Sequence, residues 1–407
     1  MKKLEHKVPN LRFKDFTDDW EQHKLGEIIT YYNGKSHEEQ FRNAETQNFE
    51  LVTLKSIDGN GNLCSSEKYI DSTNNTLSKN DLIMVLSEQN TGLVGMTTLI
   101  PRDNYYVLNQ RVALLKLHKN NSPFFLTDAI NQHQIFFERM SAGTKVQNIS
   151  KSNVENFNLY IPNYSEQKEV GHIIALCQNI ITLQQRKLDL LKQLKKGFLQ
   201  KMFADKDSKQ PVLRFKGFHD DWERRKLGEA AEIIGGGTPS TQISNYWNGD
   251  INWYTPAEIS NFIYTRKSKR KISMEGLENS SARLLPVGTV LFTSRAGIGK
   301  TAILSKEGTT NQGFQSIVPN KKLLDSYFIF SLTNELKKYG ETHGAGSTFI
   351  EISGRELAKA PLKLPALKEQ KKIGGLLHQV DELISLQQQK LAKYQSIKKS
   401  LLQQMFI

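Results

Sequence analysis

The stretch with the most direct chemical potential is SRAGIGKTAIL, residues 294–304. A phosphate-binding loop follows the pattern GxxxxGK(S/T), in which backbone amides cradle the phosphates, a lysine reaches the terminal phosphates and a hydroxyl holds Mg²⁺. Gly299, Lys300 and Thr301 fit, but Ser294 stands where the first glycine belongs, and its Cβ disfavours a positive φ. An ATPase is therefore one alternative, which a second copy of the stretch can test.

Other catalytic signatures are absent from the sequence. It contains no Asn/Asp-Pro-Pro-Phe/Tyr methyltransferase motif, no HExxH zinc motif and no GxSxG nucleophile elbow. The acidic stretch DDWE precedes Lys24 and recurs before Lys226, and it could suggest a metal-dependent nuclease. Apolar residues spaced among its charges instead favour a structural segment. We therefore predict no catalytic residue and no metal site in this chain.

Charge and composition indicate a partner rather than a reaction. The 407 residues carry a net charge of +13, from 55 Lys and Arg against 42 Asp and Glu. Such a surface fits a polyanion, and nucleic acid is favoured over membrane because no basic amphipathic segment with an aromatic face is present. A basic surface that only maintains solubility is the alternative. The length predicts at least two domains.

The remaining composition favours a cytoplasmic protein without a membrane segment. Cys64 and Cys177 are the only cysteines, too few for a disulfide framework or a structural zinc site. The charged N-terminus lacks the apolar core of a signal peptide. The most apolar helical stretch, IIALCQNIITL, is interrupted by Gln178 and Asn179.

The chain contains an internal duplication. LRFKDFTDDWEQHKLGE, residues 11–27, recurs as LRFKGFHDDWERRKLGE, residues 213–229, with 13 of 17 positions identical. A second pair, residues 162–203 and 365–406, closes each half. The ends of the halves agree while the middles diverge, which favours a shared structural role for the ends and related but different roles for the middles. Unconstrained drift of loops is the alternative.

The closing segments predict two long helices with a coiled-coil seam. Steps of four and three residues keep eight of ten positions apolar in each copy, and the polar exceptions, Gln184 and Lys195, recur as Gln387 and Lys398. The seam positions are Val170, Ile174, Cys177, Ile181, Gln184, Leu188, Leu191, Lys195, Phe198 and Met202, then Ile373, Leu377, Val380, Ile384, Gln387, Leu391, Tyr394, Lys398, Leu401 and Met405. Helices of about 40 residues span about 60 Å. We expect them to pair antiparallel with pseudo-twofold symmetry; packing of each helix on its own domain is the alternative.

The middles, within residues 21–161 and 223–364, predict α+β domains. Short β-rich runs are DLIMVLS, RVALLKL, INWYTP and GTVLFTS, and SPFFLTDAINQHQIFFERM predicts helix. In the second half, GGGTPSTQISNYWNGDINWYTP can present hydroxyls, amides and rings to a ligand, although Tyr246, Trp247 and Trp253 could equally be core residues.

Comparison of the halves argues against the ATP site. The counterpart of SRAGIGKTAIL in the first half is EQNTGLVGMTTLI, where Met96 replaces Lys300. A turn with a changeable polar tip explains both copies, because its arginine, lysine and amide side chains are the types that bond base edges or phosphates. We predict DNA contacts from the divergent turns, at Lys35, Ser36, Gln89, Asn90, Thr91, Gln110, Arg111, Lys145, Thr238, Ser240, Thr241, Tyr254, Arg295, Lys300, Gln312 and Thr348.

These motifs together resemble the specificity subunit of type I restriction-modification systems. The resemblance rests on the LRFxxFxxDWExxKLGE opening of each half, the GTPS and YW segment, the SRAGIG turn and the EQKxI helix, and it covers nearly the whole chain. The first half has NGKSHEEQ instead of GTPS and lacks SRAGIG. The resemblance implies target recognition domains at residues 1–161 and 206–364, and long helices at 162–205 and 365–407 that act as a ruler.

The same resemblance implies a non-catalytic subunit that reads a bipartite asymmetric DNA target. Each recognition domain would read one half of this target in double-stranded DNA, and the two half-sites would lie about 34 Å apart. Two modification subunits would bring S-adenosylmethionine for adenine methylation, and restriction subunits would bring ATP and Mg²⁺ for translocation and cleavage, so this chain itself would need no cofactor. The alternative from another class is a coiled-coil adaptor that binds protein partners.

Overall fold

The computed structural model describes residues 7–42, 46–88, 92–143, 146–205, 207–259, 262–295, 297–346 and 350–407. Packing divides the chain into unit 1, which is Met1–Gln185 with Gln389–Ile407, and unit 2, which is Arg186–Gln388. Both boundaries fall inside the long helices. Each unit therefore contains a part of both helices together with one of the divergent middles.

Unit 1 combines a four-stranded sheet, order β2-β9-β5-β7, with a three-stranded sheet, order β4-β3-β8, and the small pairs β1-β11 and β10-β6. Its elements are β1 (Glu21–Lys24), α1 (Leu25–Ile28), β2 (Ile29–Asn33), α2 (Glu38–Arg42), β3 (Phe49–Val52), β4 (Tyr69–Ile70), β5 (Leu82–Val85), β6 (Ser87–Glu88), β7 (Thr97–Leu99), β8 (Tyr106–Leu108), β9 (Val112–Leu117), α3 (Pro123–Asn131), α4 (Gln134–Met140), β10 (Gln147–Asn148), α5 (Lys151–Glu155), β11 (Asn158–Ile161) and the first part of α6 (Tyr164–Lys201).

Unit 2 repeats this plan with a five-stranded sheet, order β13-β20-β17-β18-β15, a three-stranded sheet, order β16-β14-β19, and the pair β12-β21. Its elements are β12 (Glu223–Lys226), α7 (Leu227–Ala230), β13 (Ala231–Gly235), β14 (Trp247–Tyr254), β15 (Tyr264–Thr265), β16 (Arg270–Ile272), α8 (Met274–Glu278), β17 (Val290–Phe292), β18 (Thr301–Leu304), β19 (Gly308–Thr310), β20 (Gln315–Pro319), α9 (Ser326–Ser331), α10 (Thr333–His343), α11 (Gly354–Leu357), β21 (Pro361–Leu364) and the first part of α12 (Leu367–Met405).

The predicted β-rich runs form β5, β9, β14 and β17, so this part of the prediction is confirmed. Strand β5 reads LIMV, and all four residues are buried between β9 and β7. A continuous apolar run suits a strand that is covered on both faces. The predicted helical stretch also forms, but as two helices: Ser122 caps α3 by accepting from the Phe125 amide, and the chain breaks at Gln132 and His133 before α4.

The two long helices pack as the seam pattern predicted. Each of the 20 seam positions is buried or half-buried. In unit 1, Val170 near the start of α6 lies in one core with Leu401 and Met405 at the end of α12. In unit 2, Met202 just beyond α6 lies in one core with Ile373 near the start of α12. The helices are antiparallel in both units, and the alternative in which each helix packs only on its own domain is wrong.

The repeated opening segment holds the start of the long helix in each unit. In unit 1, Arg12 donates from Nε and Nη2 to the two carboxylate oxygens of Glu166, each at 2.7 Å, and Glu166 is fully buried. In unit 2, Arg214 makes the equivalent pair with Glu369 at 2.8 and 2.9 Å. Trp20 packs edge-on against Phe125 and Phe406. The DDWE segment is therefore structural, as predicted, because its tryptophan and the neighbouring arginine anchor the helix.

Candidate nucleic-acid interface

The divergent turns of unit 2 leave the same edge of its five-stranded sheet. Strands β13 and β17 end at Gly235 and Phe292, and their partners across the sheet are the first residues of β20 and β18, Gln315 and Thr301. Because paired antiparallel strands exchange their ends at one edge, the segments 236–246, 293–300 and 311–314 emerge together. The sheet therefore gathers turns that lie far apart in sequence.

Backbone hydrogen bonds join these turns into one surface. The Gly237 amide donates to the carbonyl of Thr310 at 2.8 Å, and the Ser294 amide donates to the carbonyl of Gly313 at 2.8 Å. The Ile352 amide donates to the carbonyl of Ser294 at 3.0 Å, which adds the segment after α10. Main-chain hydrogen bonds thus set the relative positions of the four segments. These bonds do not depend on which side chains the turns carry.

Most of the predicted contact residues of unit 2 lie on this surface. Thr238 donates from Oγ1 to Oε1 of Gln312 at 2.6 Å, which links the glycine-rich segment to the turn after β19. The exposed residues of the set are Ser240, Thr241, Arg295, Lys300 and Gln312. Hydroxyl, amide and cationic groups therefore face solvent side by side, as a DNA-reading surface requires.

Tyr254 is a correction to the predicted set. It is fully buried, in the core formed with Leu291 and Phe314. Its carbonyl accepts from the Asn311 amide at 3.0 Å, and in unit 1 the carbonyl of Val52 accepts from the Asn109 amide at 3.1 Å, so a core valine occupies the matching position. Burial also raises the pKa of the Tyr254 phenol. It cannot contact DNA in this conformation.

The tryptophans of the same segment are core residues as well. Trp247 and Trp253 are 9% and 4% exposed and pack edge-on at 5.1 Å between ring centroids. Their indole N–H groups donate to the carbonyls of Ser240 and Gly237. They support the glycine-rich segment from beneath, so that the neighbouring threonine and serine side chains remain at the surface.

The turn between β17 and β18 is not a phosphate-binding loop. A P-loop leads into a helix whose N-terminus faces the phosphates. Here Thr301 begins a strand and pairs with Phe292. The Lys300 amide is already bonded to Thr293 Oγ1 at 2.9 Å, and Ser294 is fully buried. The described residues of this stretch therefore connect two strands and lack the helix of a P-loop, which argues against the ATP-site alternative.

Unit 1 carries the corresponding surface at the edge where β2 ends and β9 begins. Lys35 and Ser36 follow β2 and are exposed, while Gln110 donates to Glu38 Oε1 at 3.5 Å. Arg111 is exposed and has a φ of +70°. The predicted contacts Gln89, Asn90, Thr91, Lys145 and Thr348 lie outside the residues that the structure describes.

The turn after β6 differs chemically from its counterpart in unit 2. The carboxylate of Glu88 accepts from the amides of Gly92 at 3.2 Å and Val94 at 2.9 Å, and also from that of Leu93. Glu88 is only 3% exposed. A carboxylate of the chain itself therefore occupies these amides, which excludes a DNA phosphate from them.

Comparison with known proteins decides the family. The family model described as Type I restriction modification DNA specificity domain matches residues 17–193 and again residues 219–395. The chain belongs to the type I restriction-modification DNA specificity family. Its two matches coincide with the two halves of the internal duplication, so the unit of duplication is the specificity domain itself. The family supports DNA recognition over the coiled-coil adaptor.

Relatives in the specificity family align over different lengths. The MjaIX specificity subunit of Methanocaldococcus jannaschii is 39% identical over 167 residues, which are 40% of this chain and 39% of that protein. The putative MjaX specificity subunit of the same organism is 23% identical over 416 residues, 95% of this chain and 93% of that protein. The first alignment spans well under half of either protein, whereas the second is nearly end to end.

A solved structure supports the fold. The S subunit of a type I restriction-modification system from M. genitalium has a TM-score of 0.65 and 14% identity, covering 98% of this chain and 99% of that chain. Two α+β domains, each packed with parts of two long antiparallel helices, are therefore the fold of this chain, as the sequence predicted.

Sequence reasoning missed a group of basic residues in the second specificity domain. Arg270 is exposed, and its guanidinium lies 3.6 Å from the centroid of the Trp247 ring, which places it beside the glycine-rich segment. An open groove close by is lined by three further cations, Arg266, Lys267 and Lys269, together with the exposed ring of Phe262. The run TRKSKRK, residues 265–271, was the available signal.

The described residues contain neither a membrane-spanning helix nor a cluster of metal ligands. No helix among them is both long and apolar enough to cross a membrane. In the same residues, no group of three or more His, Cys, Asp or Glu side chains is arranged to hold a metal ion.

Proposed function

We propose that this specificity subunit is a non-catalytic reader of bipartite DNA, in which each unit reads one half of the target. The observation that carries the proposal is that each unit presents turns at the same edge of an equivalent sheet, with different side chains at their tips. In unit 2 these are Arg295, Lys300 and the Thr238–Gln312 pair, and in unit 1 Lys35 and Arg111. Two equivalent sheets whose turns carry different side chains suit a DNA target with two different halves.

The positive charge supplies affinity that does not depend on sequence. With a net charge of +13, the chain attracts the phosphate backbone, and base-edge bonds from the turns then select the site. If about eight phosphates are neutralised, log affinity falls with log salt at a slope of about −7.

The chemistry belongs to partner subunits in this proposal. Two modification subunits bring S-adenosylmethionine and methylate adenine, and restriction subunits bring ATP and Mg²⁺. A matched pair of exposed leucines supports two copies of one partner: Leu183 on α6 is 64% exposed in unit 1, and Leu386 on α12 is 61% exposed in unit 2. The matched position of the two leucines on the duplicated helices, rather than a large apolar patch, is what supports two copies of one partner.

Single-molecule sequencing of methylated adenines tests the proposal in cells that carry or lack the gene. We expect an asymmetric motif of two specified parts separated by unspecified bases, present only with the gene. The purified chain alone, given DNA and S-adenosylmethionine, should methylate nothing, and adding the modification subunits should restore methylation. A motif that persists without the gene, or methylation by the chain alone, would contradict the proposal.

A further inference from the structure

One side-chain pair in unit 2 bridges two of the divergent segments. The guanidinium of Arg295, on the turn after β17, lies 3.7 Å from Oε2 of Glu351. Glu351 belongs to the segment after α10, where it forms a β-bridge with Ala345. Both side chains are nearly half exposed, 46% for Arg295 and 44% for Glu351. The pair is therefore accessible at the proposed DNA surface.

The backbone around this pair is duplicated in unit 1. Leu86 occupies the place of Ser294, because its amide donates to the carbonyl of Arg111 at 2.9 Å and its carbonyl accepts from the Ile149 amide at 2.9 Å. These bonds repeat those from Ser294 to Gly313 and from Ile352 to Ser294. Hydrogen bonds, rather than sequence similarity, thus establish which positions correspond.

The positions that follow carry different side chains in the two units. Ser87 comes directly after Leu86, as Arg295 comes after Ser294, and Asn148 bridges to Ala142 as Glu351 bridges to Ala345. Ser87 donates from Oγ to Oδ1 of Asn148. One unit therefore holds a neutral hydroxyl–amide pair where the other holds a cation and a carboxylate, on the same main-chain frame.

We propose that these paired positions, 87 with 148 and 295 with 351, are one specificity-determining element that occurs once in each unit. The inference rests on the proposed DNA-reading function. In unit 2, Arg295 contacts a guanine, because a guanidinium donates two parallel hydrogen bonds to guanine O6 and N7. Glu351 is a positioning residue: at 3.7 Å its carboxylate attracts the guanidinium from one side without a direct hydrogen bond, which leaves the guanidinium donors free for the base.

The chemistry of unit 1 excludes the same base contact. Neither Ser87 nor Asn148 carries a charge, and serine and asparagine cannot reproduce the forked donor of arginine. Ser87 is only 3% exposed, so of this pair only the exposed Asn148 can face a base. Its amide accepts from Ser87 and donates to the Val146 carbonyl at 3.2 Å, and its remaining donor and acceptor match adenine better than guanine. The two half-sites therefore differ at the bases that face these two pairs.

Transfer of the unit 1 side-chain pair into unit 2 tests the proposed specificity element. The double variant Arg295→Ser with Glu351→Asn gives unit 2 the pair of unit 1 by shortening two exposed side chains. We expect the methylated motif to lose its guanine requirement at one position of one half-site, with methylation of sites bearing other bases there rising about tenfold or more. The other half-site should be unchanged. Glu351→Gln alone should relax the same position to a smaller extent.

Control variants separate this role from charge and from folding. Lys321→Ser removes a cation from the loop after β20, at the opposite edge of the same sheet, and should leave the motif intact. Arg295→Gln keeps a long polar side chain and should relax the same base position if the double variant proves too unstable to assay.

The outcomes distinguish the inference from the function beneath it. If wild-type cells show no gene-dependent motif, the proposed function itself fails. If the wild-type motif is present but both the double variant and Arg295→Gln leave it unchanged, the specificity element is wrong while the function stands. An equal loss of methylation at all sequences would also overturn the element, because it would assign Arg295 to phosphate.

Discussion

The ammonium of Lys195 on α6 lies 2.7 Å from Oδ1 of Asp381 on α12, a carboxylate that is 9% exposed. Oδ2 of the same carboxylate accepts from the Tyr327 hydroxyl at 2.7 Å, and burial together with this bond raises the pKa of the Tyr327 phenol. Lys195 is one of the polar seam positions. Its counterpart in unit 1, Lys398, instead donates to the neutral Oε1 of Gln178 at 2.9 Å.

The two lysines make a matched stability experiment. Lys195→Met leaves the buried Asp381 carboxylate without its cation and should lower the free energy of unfolding by about 3 kcal/mol. Lys398→Met removes a hydrogen bond to an amide and a weaker electrostatic attraction to Asp128, and should cost about 1 kcal/mol. Denaturant midpoints of the two variants check this. Equal losses of unfolding free energy in the two variants would mean that the charge of Asp381 does not determine how strongly unit 2 responds to loss of its lysine.

Asp128 on α3 should make the stability of unit 1 depend on pH. Burial raises the pKa of its carboxyl to about 6, opposed by the charge of Lys398. A folded-state pKa above the unfolded value means that the native state binds the proton more tightly, so this stabilisation is present at pH 4 and is lost as pH rises through about 6.

Asp128→Asn should therefore be more stable than wild type near pH 7, by about 3 kcal/mol, and nearly equal to it at pH 4. Tm measured from pH 4 to 8 for both proteins gives the comparison. The exposed Asp15→Asn serves as a control whose curve should run parallel to wild type. If Tm against pH for Asp128→Asn runs parallel to wild type, the Asp128 carboxyl does not cause the pH dependence of stability.

Lys300 and Lys35 should act through phosphate rather than through bases. Both are exposed cations at the proposed surface, one in each unit. In the complex with modification subunits, Lys300→Gln should weaken binding equally on all sequences and make the slope of log affinity against log salt shallower by about 1. Lys35→Gln should do the same. Lys321→Gln, at the opposite sheet edge, should change neither quantity, and a base-dependent loss for Lys300→Gln would reassign it.

The exposed leucines should govern partner stoichiometry. Leu183→Glu and Leu386→Glu should each reduce the complex from two modification subunits to one, and the double variant should bind none. Because both side chains are mostly exposed, the unfolding free energy should change by less than about 0.5 kcal/mol. Native mass spectrometry counts the subunits. Leu284→Glu, an exposed leucine outside the long helices, is the control, and undiminished binding by the helix variants would move the partner site elsewhere.

Much of the architecture could be predicted because it depends on local patterns. The seam residues of α6 and α12 repeat at helical spacing, which predicts helices, whereas the short apolar run of β5 predicts a strand by its length. The Arg12–Glu166 contact was harder to predict from the sequence because the two residues are 154 positions apart, although both belong to the repeated end segments.

The candidate site was predictable in location and less so in detail. The predicted contacts Ser240 and Gln312 are exposed, but turn composition also selected Tyr254, because an aromatic residue next to polar ones can point either way. Only the pairing of β14 with β19 decides that its ring is buried. The opposite error left out Arg270, whose place beside the interface depends on stacking over Trp247.

By itself the sequence determined the duplication, the two long helices, the α+β class of each half and the basic charge, since composition, periodicity and repeated motifs are all readable along one chain. Tertiary structure alone decided that positions 87 and 148 correspond to positions 295 and 351, and which side chains meet. Arg295 and Glu351 are 56 residues apart, and no local pattern pairs them. They meet because hydrogen bonds through Ser294 fold two distant segments onto one sheet edge, and such contacts depend on the whole set of strand pairings.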